Sequence, residues 1–302
     1  MLCRTLAILN LLNLEVIVIG SIFVRAELLL RPAMERSIAR EAFSISARVC
    51  KILHAALGDE IDQYEALAVA SYRMGKRYER RCFVVHTRFS GPEEVLTRLT
   101  ERYPALLPQR DGIEAAYNIL RDNFARGGKL LLCGNGGSAA DALHIAGELM
   151  KSFILPRRPD PDFVRTVRER FPEDAAFLLG KLERALPAIP LVESAAVSTA
   201  VQNDTASVLV FAQQVYGLGR KGDVLLGIST SGNSQNVLYA AETARALGMG
   251  VVTLTGRPPN RLTALSDCQI AVDDTETFRI QELHLPVYHA LCLMLEQFFF
   301  AE

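Results

Sequence analysis

The chain predicts an α/β fold: a three-layer αβα doubly wound parallel sheet with a small N-terminal α/β extension. Three observations predict it. From about Asp111 onward, short apolar runs alternate with stretches of helical period. The short runs are apolar throughout, as strands covered on both faces are. Half of the 302 residues are hydrophobic, enough for a sizeable core. Repeated strand–helix alternation implies a parallel sheet with helices on both sides.

The elements follow in order. Val16-Ile17-Val18-Ile19-Gly20 is a short buried-strand pattern ending in Gly, within Glu15 to Gly20. A helical stretch follows over Leu28 to Arg40, with Pro32 tolerated in its first turn. Ala47 to Leu53 reads as a second strand, and Ile61 to Met74 as a helix with Asp59 near its cap. Residues 1–76 thus form one unit. Residues 77–108 read as a linker, with charges from Arg77 to Arg81 and breakers at Ser90-Gly91-Pro92 and Pro104 to Pro108. The main domain spans residues 109–302. Ile113 to Ala125 is an amphipathic helix, with Ile113, Ala116, Tyr117 and Leu120 on one face and Gly127-Gly128 after it. Strands are expected at Lys129 to Cys133, Ala188 to Val192, Val224 to Ile228, Val251 to Thr255 and Gln269 to Val272. Helices are expected at Ser138 to Met150, Ala195 to Val201, Phe211 to Leu218, Asn236 to Leu247 and Ile280 to Phe300, with Pro286 kinking or perturbing the last. An insertion at about 155–186 is rich in Pro and charge, with short helices near Asp162 to Arg170 and Asp174 to Ala185. A lid and a subunit contact are the two roles open to it.

Composition excludes some functions. The formal net charge of -1 provides no global field for nucleic acid or anionic membrane. Six cysteines at irregular spacing fit buried free thiols in a reducing compartment, and Cys133 reads as a buried strand-end thiol. The first 24 residues are apolar, but Asn10, Asn13 and Glu15 interrupt them and no clean cleavage site follows. A cytoplasmic chain is expected.

Two strand-to-helix loops carry the chemistry. Val224 to Ile228 opens into Ser229-Thr230-Ser231-Gly232-Asn233-Ser234 and then a helix. The first N–H groups of a helix lack intrahelical partners, and their partial positive charge favours an anion. The hydroxyls of Ser229, Thr230, Ser231 and Ser234 add donors, and Gly232 allows close backbone approach. The loop has no Lys, unlike a nucleotide P-loop, so a monophosphate ester fits better. An ordinary Ser-capped helix start is the plainer alternative. The earlier loop, Cys133-Gly134-Asn135-Gly136-Gly137-Ser138, also joins a strand to a helix, without the ribose-binding acid of a dinucleotide fingerprint.

His144 and Glu148 lie four apart on the helix that follows the first loop, hence on one face. Gln281 and His289 lie eight apart on the last helix, so spacing alone does not bring them together. Spacing favours Glu282, seven residues from His289, as its helical neighbour.

Over about residues 109–300 these motifs resemble the sugar isomerase (SIS) family, and within it the phosphoheptose isomerases. The resemblance implies a flavodoxin-like sheet and a homotetramer. It places sugar phosphate on Ser229, Thr230, Ser231 and Ser234, with Asn135, Gly136, Gly137 and Ser138 shaping the pocket. Gln281 and Asp204 match further positions near the substrate, although Asn203-Asp204 also reads as a helix C-terminal turn. It implies Zn²⁺ on His144, Glu148, Gln281 and His289, a mixed N/O set that suits zinc. It implies isomerisation of sedoheptulose 7-phosphate to D-glycero-D-manno-heptose 7-phosphate through an enediol, with Glu148 as base and His289 as acid partner. His284 is assigned to packing or to support of the site. The chain departs from the family pattern at Gly147, Ala139-Ala140 and Phe278, which bears on the exact sugar. A non-catalytic SIS protein that binds a sugar phosphate or a replication initiator is the rival reading, as is an isomerase of another sugar phosphate. Residues 1–76 weakly resemble the C-terminal tail of ROK-family sugar kinases, at Val16-Ile17-Val18-Ile19-Gly20-Ser21, Leu29-Leu30-Arg31-Pro32-Ala33-Met34, Ala55-Ala56-Leu57-Gly58 and Ala66-Leu67-Ala68-Val69-Ala70. They lack that family's phosphate-binding and catalytic motifs.

Overall fold

Apolar runs without alternation become strands buried on both faces. In β3 (Leu130–Gly134), Leu130 and Leu132 enter one core while Leu131 and Cys133 enter the other, and none of the four has exposed surface. The computed structural model describes residues 16–19, 51–54 and 89–301. The chain divides into two units, residues 1–83 and 84–302. In the first, β1 (Val16–Ile19) pairs in parallel with β2 (Lys51–His54). The helices expected at Leu28 to Arg40 and Ile61 to Met74, and most of the kinase-like stretch, lie outside the described residues.

The second unit is built on five parallel strands: β3, β4 (Ala188–Pro190), β5 (Val224–Ser229), β6 (Gly250–Thr255) and β7 (Cys268–Ala271). Their spatial order is β4-β3-β5-β6-β7. The chain leaves β3 to one side and returns to the other, so β3 and β5 flank the switch point of a doubly wound sheet. Register sets Leu130 opposite Val224, and Gly134 opposite Ile228. Both strands therefore end level, and the two loops open side by side.

One face is covered by α1 (Pro92–Arg102), α2 (Arg110–Ala125), α3 (Gly137–Met150) and the 24-residue α9 (Thr277–Phe300). The other carries α7 (Val210–Leu218) and α8 (Gln235–Ala246), with α6 (Ala195–Asp204) beside them. Helices α4 (Pro161–Arg170) and α5 (Ala175–Lys181) lie within the insertion, close to where the sequence predicts them.

Two expectations are corrected. The second half of the expected linker is α1, begun by Pro92 at its first turn, with Val95, Leu96 and Leu99 in the core. Gly and Pro around it read as linker punctuation, but they only bound the helix. Helix α9 also runs unbroken through Pro286, which is buried. Proline removes one backbone donor there, and packing along the rest of the helix outweighs that loss.

The insertion is fastened to α9 by a buried ion pair. Arg157 and Glu296 both have side chains with no exposed surface, with Nη2 and Oε1 2.8 Å apart. Glu296 also accepts the backbone N–H groups of Phe153, Ile154 and Leu155. Arg157 donates to the carbonyls of Leu149 and Glu148 at 2.6 and 2.8 Å, capping the last turn of α3. Removing one partner of such a pair costs about 3–5 kcal/mol. Glu296→Leu is expected to fall in or above that range, because it orphans three N–H groups as well as the guanidinium. Arg157→Met is expected to cost less, since Glu296 keeps its three N–H bonds. Urea-unfolding midpoints test the ranking, and equal, unshifted midpoints would refute it.

Candidate active site

Both loops stand at the C-terminal ends of the strands that flank the switch point, where ligands of open α/β sheets bind. In the second loop, Ser229 is buried and its Oγ lies 3.0 Å from Ser234 Oγ and 3.5 Å from Ser231 Oγ. Gly232 has a φ of 63°, and a Cβ there would lie 2.2 Å from Asn260 Cγ. Only glycine fits that turn. Ser234 sits at the N-cap of α8 without a side-chain cap bond. The Val237 N–H is accepted by Asn236 Oδ1 at 3.0 Å, and a helix start without its own side-chain cap can take an anion. Thr230 is partly buried, and its carbonyl accepts the Gly256 N–H at 2.9 Å.

In the first loop, Gly136 has a φ of 56°, Ser138 is buried and Asn135 is exposed. Asn135 and Asn236 exchange two amide hydrogen bonds of 2.9 and 2.8 Å, tying one loop to the other. A cavity of about 570 Å³ adjoins the pair, lined among others by Gly136, Ser198, Gln202 and Gln235. The sequence analysis missed Asn236, because an Asn in a first helical turn reads as ordinary.

Farther along α3, His144, Glu148 and His289 meet. His144 Nε2 is 3.1 Å from Glu148 Oε1 and 3.4 Å from His289 Nε2. The His144 and His289 rings pack edge to face at 4.9 Å, and Phe153 covers His289 at 5.5 Å. Burial, followed by the charge of His144, holds His289 below the usual imidazole pKa. His289 also lines a second cavity of about 670 Å³, between α1 and α9.

The other predicted residues take separate places. Gln281 lies against the first loop: a Cβ on Gly137 would come within 2.4 Å of Gln281 Nε2. Glu282, favoured by spacing, faces solvent. His284 is buried and its Nε2 is 3.2 Å from the Thr255 carbonyl, a packing role. Asp204 is exposed at the end of α6 and accepts the Asn203 amide at 2.7 Å, whereas Ser198 and Gln202 of the same helix line the loop cavity. Phe278 is exposed. Cys133 is buried and its thiol is pushed up to about 12 by burial, so it is inert.

Could this cluster hold a metal? As they stand the side chains contact one another, and no group of three His, Cys, Asp or Glu among the described residues forms a ready cage. The side chains of His144, Glu148 and His289 are nevertheless donors of the types zinc takes. Zinc–nitrogen bonds of about 2.0–2.1 Å give tetrahedral ligand–ligand edges of about 3.3–3.4 Å. The 3.4 Å His144–His289 separation is such an edge, and the 3.1 Å His144–Glu148 separation is close to one.

An SIS domain profile matches residues 94–185 and 178–256. A phosphoheptose isomerase of Desulfovibrio desulfuricans is 43% identical over 177 residues, covering 59% of this chain and 72% of the relative. One from Helicobacter pylori is 37% identical over 216 residues, covering 72% and 96%. A solved phosphoheptose isomerase from Neisseria gonorrhoeae superposes with a TM-score of 0.52 at 33% identity, over 67% of this chain and 92% of the other. That of Francisella tularensis gives 0.51 at 32%, over 68% and 94%.

Two outcomes are expected. Gly232→Ala forces a side chain into the αL turn and against Asn260. Affinity for inorganic phosphate, read by titration calorimetry, should fall about tenfold or more, equivalent to about 1.4 kcal/mol; unchanged affinity would place the anion elsewhere. His284 has its pKa lowered from 6.5 to about 4 by burial. It therefore contributes stability that is present above pH 6.5 and is lost as pH falls toward 4, on the order of 3 kcal/mol. His284→Gln should flatten that part of the stability–pH curve.

Proposed function

Since the chain belongs to the SIS-domain family of phosphoheptose isomerases, we propose that it is a zinc-dependent aldose–ketose isomerase acting on sedoheptulose 7-phosphate to give D-glycero-D-manno-heptose 7-phosphate. The observation that carries the reading is the convergence of His144, Glu148 and His289 between α3, which begins at the first loop, and α9. Ser229, Thr230, Ser231 and Ser234 hold the phosphate together with the open start of α8. Asn135, Gly136, Gly137 and Ser138 shape the neighbouring wall, and Gln281, set against Gly137, reaches the sugar.

Catalysis moves one proton between adjacent carbons. Glu148 removes the proton beside the carbonyl, and His289 protonates the carbonyl oxygen to give an enediol. His289 then takes the proton of the neighbouring hydroxyl as Glu148 returns its own proton to the former carbonyl carbon. A depressed imidazole pKa keeps His289 neutral near pH 7, so it works in this cycle as a proton carrier rather than a fixed charge. Zinc, held by His144, Glu148 and His289, would polarise the substrate oxygens. Gln281, the fourth ligand of the resemblance, is set about two helical turns away against Gly137 and is left to the sugar. Phe153 over His289 limits water at the ring.

Exposed Leu143 and Met150 on α3, and Leu285 and Phe298 on α9, support burial of this helix pair in a homotetramer. No helix among the described residues is long and apolar enough to cross a membrane. Buried free Cys133, Cys268 and Cys292 suit the reducing cytoplasm.

Glu148→Gln and His289→Ala should each lower kcat by about 10²–10⁴, and Ser231→Ala should act mainly on KM. Turnover of sedoheptulose 7-phosphate by purified protein, with metal analysis, checks this. Activity that survives both catalytic changes removes the mechanism, and preference for a different sugar phosphate removes the substrate assignment.

A further inference from the structure

His144 meets the cluster with one ring nitrogen while its other nitrogen is already engaged. Nδ1 lies 3.1 Å from the Tyr288 hydroxyl. The same hydroxyl donates to Asp141 Oδ1 at 3.2 Å. A phenol has a single hydrogen, and a neutral imidazole has a single N–H. With the phenol hydrogen directed to Asp141, Tyr288 can only accept from His144, so the imidazole hydrogen sits on Nδ1. Nε2 is left with a bare lone pair. That lone pair faces a carboxylate oxygen at 3.1 Å and a second imidazole nitrogen at 3.4 Å. Acceptors held this close repel unless a proton or a cation lies among them.

The surroundings keep the chain of bonds in this direction. Tyr288 is 1% exposed. Its phenol hydrogen is committed to Asp141 Oδ1 at 3.2 Å. Asp141 Oδ2 is buried without a partner, which makes the Tyr288 hydroxyl the donor that the carboxylate depends on. Tyr288 and His144 also pack edge to face at 5.5 Å, which limits rotation of either ring.

We propose that Tyr288 and Asp141 are positioning residues that select the Nδ1–H tautomer of His144 and so hold its Nε2 open for a divalent cation. The proposal rests on reading the His144–Glu148–His289 cluster as a metal centre. Neither residue touches the substrate or the ion. Each acts through His144, as hydrogen-bonded partners of metal-binding histidines do elsewhere.

The test uses the full chain, stripped of metal, as wild type, Tyr288→Phe and Asp141→Asn. Zinc affinity is measured by competition with a chromophoric chelator. Ring tautomers are read from nitrogen-15 spectra of histidine-labelled, metal-free protein. Tyr288→Phe removes only the hydroxyl and should weaken zinc binding by about 10–100-fold. Asp141→Asn should act in the same direction, because an amide can donate to the phenol oxygen and turn the phenol hydrogen toward Nδ1. In wild type the His144 hydrogen should sit on Nδ1, and both variants should show a share on Nε2. Equal zinc affinity in folded wild type and variants overturns the proposal, as does a wild-type His144 with its hydrogen on Nε2. If a variant does not fold, the wild-type tautomer decides. Wild-type protein that takes up no zinc overturns the functional reading, and the tautomer then judges the positioning claim alone.

Discussion

A guanidinium without exposed surface holds the far end of the α3–α9 pair. Arg157 binds Glu296 of α9 and, with its remaining donors, the carbonyls of Glu148 and Leu149 that end α3. An ion pair taken wholly out of water is a poor source of stability, because desolvation offsets most of the attraction. Its effect here is positional. It sets where Glu148 lies along α9, and through Glu296 it orders the Phe153–Leu155 backbone that brings the Phe153 ring over His289. The near end of the same helix pair is set by a close approach, Gly137 against the Gln281 amide. With both ends fixed, the positions of His144 and His289 in between follow.

The sheet supplies the other half of the site. Because β3 and β5 are neighbours at the point where winding reverses, their loops open in one direction and their following helices start close together. Two helix N-termini then face the same space, and the Asn135–Asn236 amide pair keeps that spacing. The two loops and the cluster farther along α3 are thus reached from neighbouring strands of one sheet.

Burial holds a set of titratable groups outside the cluster in their uncharged forms. His284 is neutral against a backbone carbonyl, and the thiols of Cys133 and Cys292 are raised by burial. The cluster at His289 is only half-buried by contrast. Its low-dielectric side, formed by Tyr288 and Phe153, sharpens each remaining interaction.

Much of this was legible in the chain. Unbroken apolar runs located all five strands of the sheet, and glycine with hydroxyl residues located both loops. A spacing of four put His144 and Glu148 on one face. These are local properties, set by side-chain period and backbone sterics within a dozen residues, and sequence alone determines them. Three matters were decided only by the tertiary structure. Nothing in the proline- and charge-rich insertion singles out Arg157, which is buried by a partner 139 residues away. Tyr288 reads as a core aromatic until Asp141 and His144 of another helix reach its hydroxyl. Helical period favours Glu282 beside His289, yet the register of α9 against α3 sets Gln281 at the first loop and turns Glu282 to solvent. Register between packed helices depends on the shapes of both surfaces and on their end contacts, which no single segment encodes.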